Sequence, residues 1–175
     1  MRQYIFVICF LSAITLTVSA QNQFPSPRYG AATIKYNDTA IYIYGGVIQE
    51  ASKSISQQLT NEVWYYNASN CTFTKVNPLG DELPGMYACS PVCDPQTGKI
   101  YFLGGLRTAA DNAFYSFDPQ AFQVSKKTQQ PYSQRSGMSG EYIGSGKFLF
   151  SGGRLANGTA SSAAYVFNAA QLTIT

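Results

Sequence analysis

The 175-residue chain has no histidine. Its absence excludes a serine–histidine–aspartate or cysteine–histidine nucleophile within these residues. It excludes histidine-ligated zinc and copper as well. Charge is sparse, with 12 Lys and Arg against 9 Asp and Glu. Lys126-Lys127 is the only adjacent basic pair, so nucleic-acid binding by general electrostatics has no footprint here. Helical periodicity with caps is missing from everything after the first 20 residues. Long apolar runs are missing too, apart from Tyr4 to Val18. That run falls short of the about twenty residues a membrane span needs.

The one apolar run follows a positive start at Arg2. It ends in Val18-Ser19-Ala20, small residues at cleavage positions, before Gln21. Residues 1–20 read as a secretory signal peptide, which places the chain in the secreted, extracellular class. The alternative is an uncleaved signal anchor, the only route by which a membrane enters. Secretion gives meaning to four sequons, at Asn37, Asn67, Asn70 and Asn157, each in an expected turn or loop where a glycan stays in solvent. Asn67 and Asn70 are too close for both to be filled readily. Cys9 leaves with the signal, so Cys71, Cys89 and Cys93 remain as disulfide candidates, an odd number. In one extended strand, Cys89 and Cys93 would lie roughly 13 Å apart. A disulfide needs α-carbons within about 7 Å, so Pro91 would have to break the strand first. Otherwise Cys89 packs as a small hydrophobe.

What the sequence does have is a pattern stated three times. The first copy runs Pro27-Arg28-Tyr29-Gly30, then Ile41-Tyr42-Ile43-Tyr44-Gly45-Gly46, then Val63-Trp64-Tyr65-Tyr66-Asn67 and Phe73. The second runs Gly85-Met86-Tyr87-Ala88, then Ile100-Tyr101-Phe102-Leu103-Gly104-Gly105, then Phe114-Tyr115-Ser116-Phe117-Asp118 and Val124. The third runs Arg135-Ser136-Gly137, then Phe148-Leu149-Phe150-Ser151-Gly152-Gly153, then Ala164-Tyr165-Val166-Phe167-Asn168 and Ile174. A period near fifty indicates stacked repeats. Alternating apolar and aromatic residues predict four short strands per copy, twelve in all, separated by Asn-, Asp- and Gly-bearing turns. The repeat-bearing regions span about 25–78, 83–128 and 132–175.

The glycine doublets after a hydrophobic strand resemble the kelch repeat. So do Arg28 and Arg135 before the first strand, the aromatics Trp64, Tyr115 and Tyr165, and the Asn or Asp three residues on. Phe73, Val124 and Ile174 stand where the family usually has Trp, and Met86 replaces the second Arg. The resemblance covers roughly residues 25 to 175. It implies an all-β, kelch-type β-propeller with three four-stranded antiparallel blades in an incomplete ring, because propellers hold roughly four to eight blades. The open ends then call for further blades or self-association. Galactose oxidase has a kelch-like propeller, but its copper site needs histidines, so that activity cannot reside in this segment.

Gly45, Gly46, Gly104, Gly105, Gly152 and Gly153 are expected to be structural, since one place in each copy demands them. Gly144-Ser145-Gly146-Lys147 imitates a phosphate loop. However, Glu141 and Phe148 occupy positions where that motif needs Gly and Ser or Thr, and the segment reads as a hairpin turn. No cofactor and no metal is expected. Glu50, Asp111 and Glu141 are the carboxylates available for acid–base work, but they fall in different copies.

Function is expected in the loops after the doublets, 47–61, 106–112 and 154–162, because rigid scaffolds present binding residues on loops. Candidate ligand contacts are Glu50, Lys53, Arg107, Asp111 and Arg154. A guanidinium at Arg107 or Arg154 could clamp a carboxylate or sugar hydroxyls. The expectation is a non-enzymatic binding module for a protein or carbohydrate ligand. The alternative is part of a secreted propeller enzyme, an oxidase or sugar-processing one, whose catalytic residues lie elsewhere.

Overall fold

The computed structural model describes residues 24–48, 53–54, 58–107, 113–127 and 135–175. The signal-peptide expectation, Glu50 and Asp111 lie outside them. The described residues are all-β, without a helix. Sheet I is Ala32–Lys35, Ala40–Tyr44, Val63–Asn67 and Thr72–Val76. Sheet II is Met86–Cys93, Ile100–Arg107, Phe114–Asp118 and Gln123–Lys127. Sheet III is Ser139–Gly144, Lys147–Ser151, Ala164–Asn168 and Thr173–Ile174. These twelve strands form three antiparallel meanders in chain order.

Local chemistry sets each meander. In Ala40–Tyr44, residues 40, 42 and 44 are buried and the two isoleucines between them are half-buried, the period of a strand covered mostly on one side. The turn from third to fourth strand is the same in every copy. Asn67, Asp118 and Asn168 each accept the backbone N–H two residues on. Cys71, Phe122 and Leu172 each take a left-handed conformation, with φ of 55°, 51° and 56°. The Asn or Asp in the pattern therefore builds an Asx turn.

The sheets pack face to face. Tyr42, Tyr44 and Val63 of sheet I share one core with Ile100, Phe102, Tyr115 and Phe117 of sheet II. The opposite face of sheet II, with Tyr101, Leu103 and Phe114, packs on Phe148, Phe150 and Phe167 of sheet III. Ring centroids 4.6 Å apart for Tyr44–Phe102 and 4.9 Å apart for Phe114–Phe167 mark the two contacts. The first strand of sheet II touches the first strands of both neighbours.

Five two-residue strands add to the expected twelve. Leu79–Gly80, in the connection from sheet I, runs parallel to the outer strand of sheet II. Two residues are too few for alternation to show. Arg28–Tyr29 pairs with Val47–Ile48, and Arg135–Ser136 with Arg154–Leu155. In sheet II the same ladder continues the long strands, pairing Met86 with Arg107 and Tyr87 with Leu106.

The Cys89–Cys93 disulfide does not form. Pro91 does not break the strand: it pairs opposite Phe102 within it. The strand lies at the sheet's edge, where a missing N–H is tolerated. Cys71, Cys89 and Cys93 are free thiols. Burial pushes the Cys89 thiol up to about 12, so it packs as a hydrophobe and not as a nucleophile.

Candidate ligand-binding recess

Each sheet carries one arginine at the mouth of its glycine doublet. Arg28 donates to Gly45 O at 3.2 Å and to the Glu62 carboxylate at 2.6 Å. Arg135 donates to Gly152 O at 3.3 Å and Ala163 O at 2.9 Å. Sheet II has Met86 at this position, and the arginine comes from across the ladder. Arg107, the pair partner of Met86, donates to Gly104 O at 2.8 Å and Ala113 O at 2.6 Å. The guanidinium ties the end of the second strand to the start of the third in every copy. Arg107 lies over Tyr115 and Arg135 over Tyr165, a cation–π arrangement.

Arg107 was expected as a ligand contact. Its side chain is buried, and these bonds give it the structural role expected of Arg28 and Arg135. Removing it strands two carbonyls, so Arg107→Leu is expected to lower stability by about 1–3 kcal/mol. Adding Met86→Arg recreates the pairing of sheets I and III and should recover most of that loss. Urea unfolding of the single and double variants checks both outcomes. A double variant as weak as the single would reject the exchange.

In sheet I the arginine has a counter-ion. Glu62 accepts from Arg28, from Trp64 Nε1 at 3.1 Å and from Lys75 at 2.5 Å. Burial pushes the Glu62 carboxyl up, but the bonds from Lys75, Arg28 and Trp64 outweigh it and bring it from 4.5 to about 2. Because the folded value is depressed, the stabilisation is complete above about pH 4.5 and is lost as pH falls toward 2. Glu62→Gln is therefore expected to melt lower than the parent at pH 6 and level with it near pH 2. A gap unchanged across that range would contradict the assignment.

Among the described residues, Arg135 has no such counter-ion. Arg135 is 3% exposed, and its Nε has no hydrogen-bond partner. Its guanidinium bonds only to carbonyls and the Tyr165 hydroxyl. It lines an open recess of about 370 Å³ between the doublet loops of sheets II and III, with Tyr87, Leu106, Arg107, Ser136 and Arg154. Three arginines line it, and no carboxylate is among its described lining residues. Arg154 is exposed and donates to Gly158 O at 2.8 Å. Leu106 is 46% exposed, and Tyr87 meets Tyr29 edge-on at 5.7 Å. Concave shape, apolar rim and clustered arginines suit an anionic group.

The recess brings together Arg107 and Arg154 from the expected site residues. Arg135, expected to be purely structural, joins them. Lys53 is exposed in the first doublet loop. Glu141 lies on the outer face of sheet III, exposed to solvent. Among the described residues no group of three Cys, Asp or Glu side chains could hold a metal. Ser145 and Gly146, with φ of 52° and 66°, form the two-residue turn of a hairpin, as expected of this phosphate-loop look-alike. Of the sequon asparagines, Asn37, Asn70 and Asn157 are exposed and Asn67 is half-buried.

No protein-family profile matches the chain, and no curated protein matches it. Solved structures do. One, described as the structure of YjhT, is 19% identical, with a TM-score of 0.67. The match covers 85% of this chain and 51% of that one, so this chain spans about half the length of the structure it resembles.

Proposed function

We propose that this chain is a secreted binding module built on kelch-type propeller blades, each sheet one blade. The triplicated doublets, the face-to-face cores and the contacts between first strands support that reading. The recess between the second and third doublet loops is the ligand site. The observation that carries it is the clustering of Arg107, Arg135 and Arg154 around one recess, with no carboxylate among its described lining residues. Arg135 holds the floor through its backbone bonds, and Arg154 makes the exposed contact. The ligand is a protein or carbohydrate bearing a carboxylate, which a planar guanidinium receives in two parallel bonds. The signal at residues 1–20 delivers the chain to the exterior, where Asn37 and Asn70 are exposed glycan acceptors, and Asn157, between the lining residues Ala156 and Gly158, is one on the rim of the recess.

Expression in eukaryotic cells tests the reading. Secreted protein is expected to begin at or near Gln21. On arrays of acidic and neutral glycans and peptides it should retain only carboxylate-bearing members. Arg154→Glu, at an exposed site, should abolish retention while leaving the melting temperature unchanged. Equal retention of neutral members, or an unaffected variant, would exclude this site.

A further inference from the structure

Resting on the reading of the recess as a carboxylate site on a secreted chain, we infer that a glycan on Asn157 covers this recess. Occupancy of that sequon then sets how much of the protein can take its ligand.

Of the four sequons, Asn157 is the one at the ligand-binding end of its sheet. In sheet I the register sets Tyr44, next to the doublet, opposite Val63, and Ala40 opposite Asn67. The turns that hold Asn37, Asn67 and Asn70 therefore lie at the end away from the doublet. A sugar there stands a strand's length from the recess. Asn157 instead follows Gly153 by four residues and lies between Ala156 and Gly158, both of which line the recess.

The hairpin that carries Asn157 is tied at several points. Arg154 pairs with Ala160. Leu155 N donates to Thr159 O and Gly158 N to Leu155 O, each at 2.9 Å. Gly158 is left-handed, with φ of 85°, as the bulge position of a short hairpin loop requires. Thr159 donates to Asn157 Oδ1 through its hydroxyl at 2.7 Å and through its N–H at 3.0 Å. Both bonds end on the amide oxygen, so a sugar on Nδ2 breaks neither. The root of the glycan is thereby fixed at the rim. The donor is a lipid-linked oligosaccharide of the secretory pathway. Nδ2 gives up one proton and bonds to the anomeric carbon. The C–O bond to the lipid pyrophosphate breaks, and its electron pair leaves with the phosphate.

The side chain that makes the exposed ligand contact is joined to the same turn. Arg154 donates to Gly158 O at 2.8 Å, in the residue next to Asn157. A carboxylate that reaches Arg154 must therefore pass the first sugars. The recess holds about 370 Å³, little beside an oligosaccharide of several rings. Leu106, 46% exposed, and Tyr87 offer apolar surface to the C–H face of a sugar ring. A tethered glycan meets that surface at about millimolar effective concentration. Contacts too weak to hold a free sugar then suffice to keep this one over the recess.

The full chain, secreted from eukaryotic cells, is passed over immobilised glucuronate and an immobilised glutamyl peptide. Glucose and the glutaminyl peptide serve as neutral blanks. Mass spectrometry of peptides from both fractions reads the state of Asn157. Molecules glycosylated there are expected to pass through, and those with a bare Asn157 to be retained. Asn157→Gln and Thr159→Ala each remove the sequon, and each should bind about tenfold or more tighter than the glycosylated fraction. Asn37→Gln, which strips a sugar from the far end, should change nothing. Arg154→Glu should abolish retention in every background. If glycosylated and bare molecules are retained alike while Arg154→Glu is not, the recess stands and its cover is overturned. A bare Asn157 in all secreted molecules overturns the cover too. So does tightening by only one of the two sequon variants, which assigns the effect to the turn. If not even Asn157→Gln is retained, the reading of the recess itself fails.

Discussion

Gly104→Ala is expected to cost the chain far more stability than Gly152→Ala, although the two glycines hold the same place in consecutive copies. Both are left-handed, with φ of 68° and 73°, and an alanine there costs about 1–2 kcal/mol from backbone sterics alone. At Gly104 a methyl group would also fall within 3.0 Å of the Arg135 carbonyl oxygen, a backbone atom of the next sheet. At Gly45 it would meet the Met86 carbonyl in the same way. At Gly152 it meets nothing nearer than Ser161 O at 4.0 Å. Gly152→Ala should therefore lose only the conformational term, while Gly104→Ala and Gly45→Ala must push neighbouring sheets apart. Urea unfolding of the three variants reads the difference. Equal losses would mean that the doublets serve turn geometry only and do not seat one sheet on the next.

Phe167→Ala is the other change with a large consequence. Phe167 is fully buried and meets Phe114 at 4.9 Å, Tyr101 at 5.0 Å and Phe148 at 6.1 Å. Its removal opens a cavity on the junction of sheets II and III. Such deletions lose about 3–5 kcal/mol, against a total of about 5–15 kcal/mol for a domain. Val166, the next residue on the other face, is half-buried, and Val166→Ala should lose much less. Thermal unfolding with both variants checks the contrast. A mild Phe167→Ala would show that the second core is loosely packed.

The twelve main strands were legible because their signals are local. Alternation at Ile41 to Tyr44, the doublets, and the Asn or Asp before each outer turn act within a few residues of themselves. The site was less legible. Arg107 looks like a loop residue until the ladder puts it opposite Met86, and only that pairing explains why the second copy can lack its arginine. That Arg135 meets no carboxylate among the described residues, where Arg28 has Glu62, is a property of contacts and leaves no mark in the repeat. The cysteines depended on whether Pro91 interrupts its strand, and a free edge let it stay.

The segment Leu79–Gly80 has a consequence for assembly in time. It bonds to the outer strand of sheet II through Leu79 N to Phe122 O at 2.7 Å and Asp81 N to Val124 O at 3.1 Å. Asp81 also accepts from Lys126 N at 2.7 Å. During synthesis this connection emerges before any strand of sheet II, and the strand that needs it emerges last. The hairpins of sheet II can close as they appear, but its final strand finds its outer neighbour already in place. Folding thereby acquires a direction, from the first-made unit to the next. The newest edge is covered as soon as it exists and is not left as a template for a stray chain.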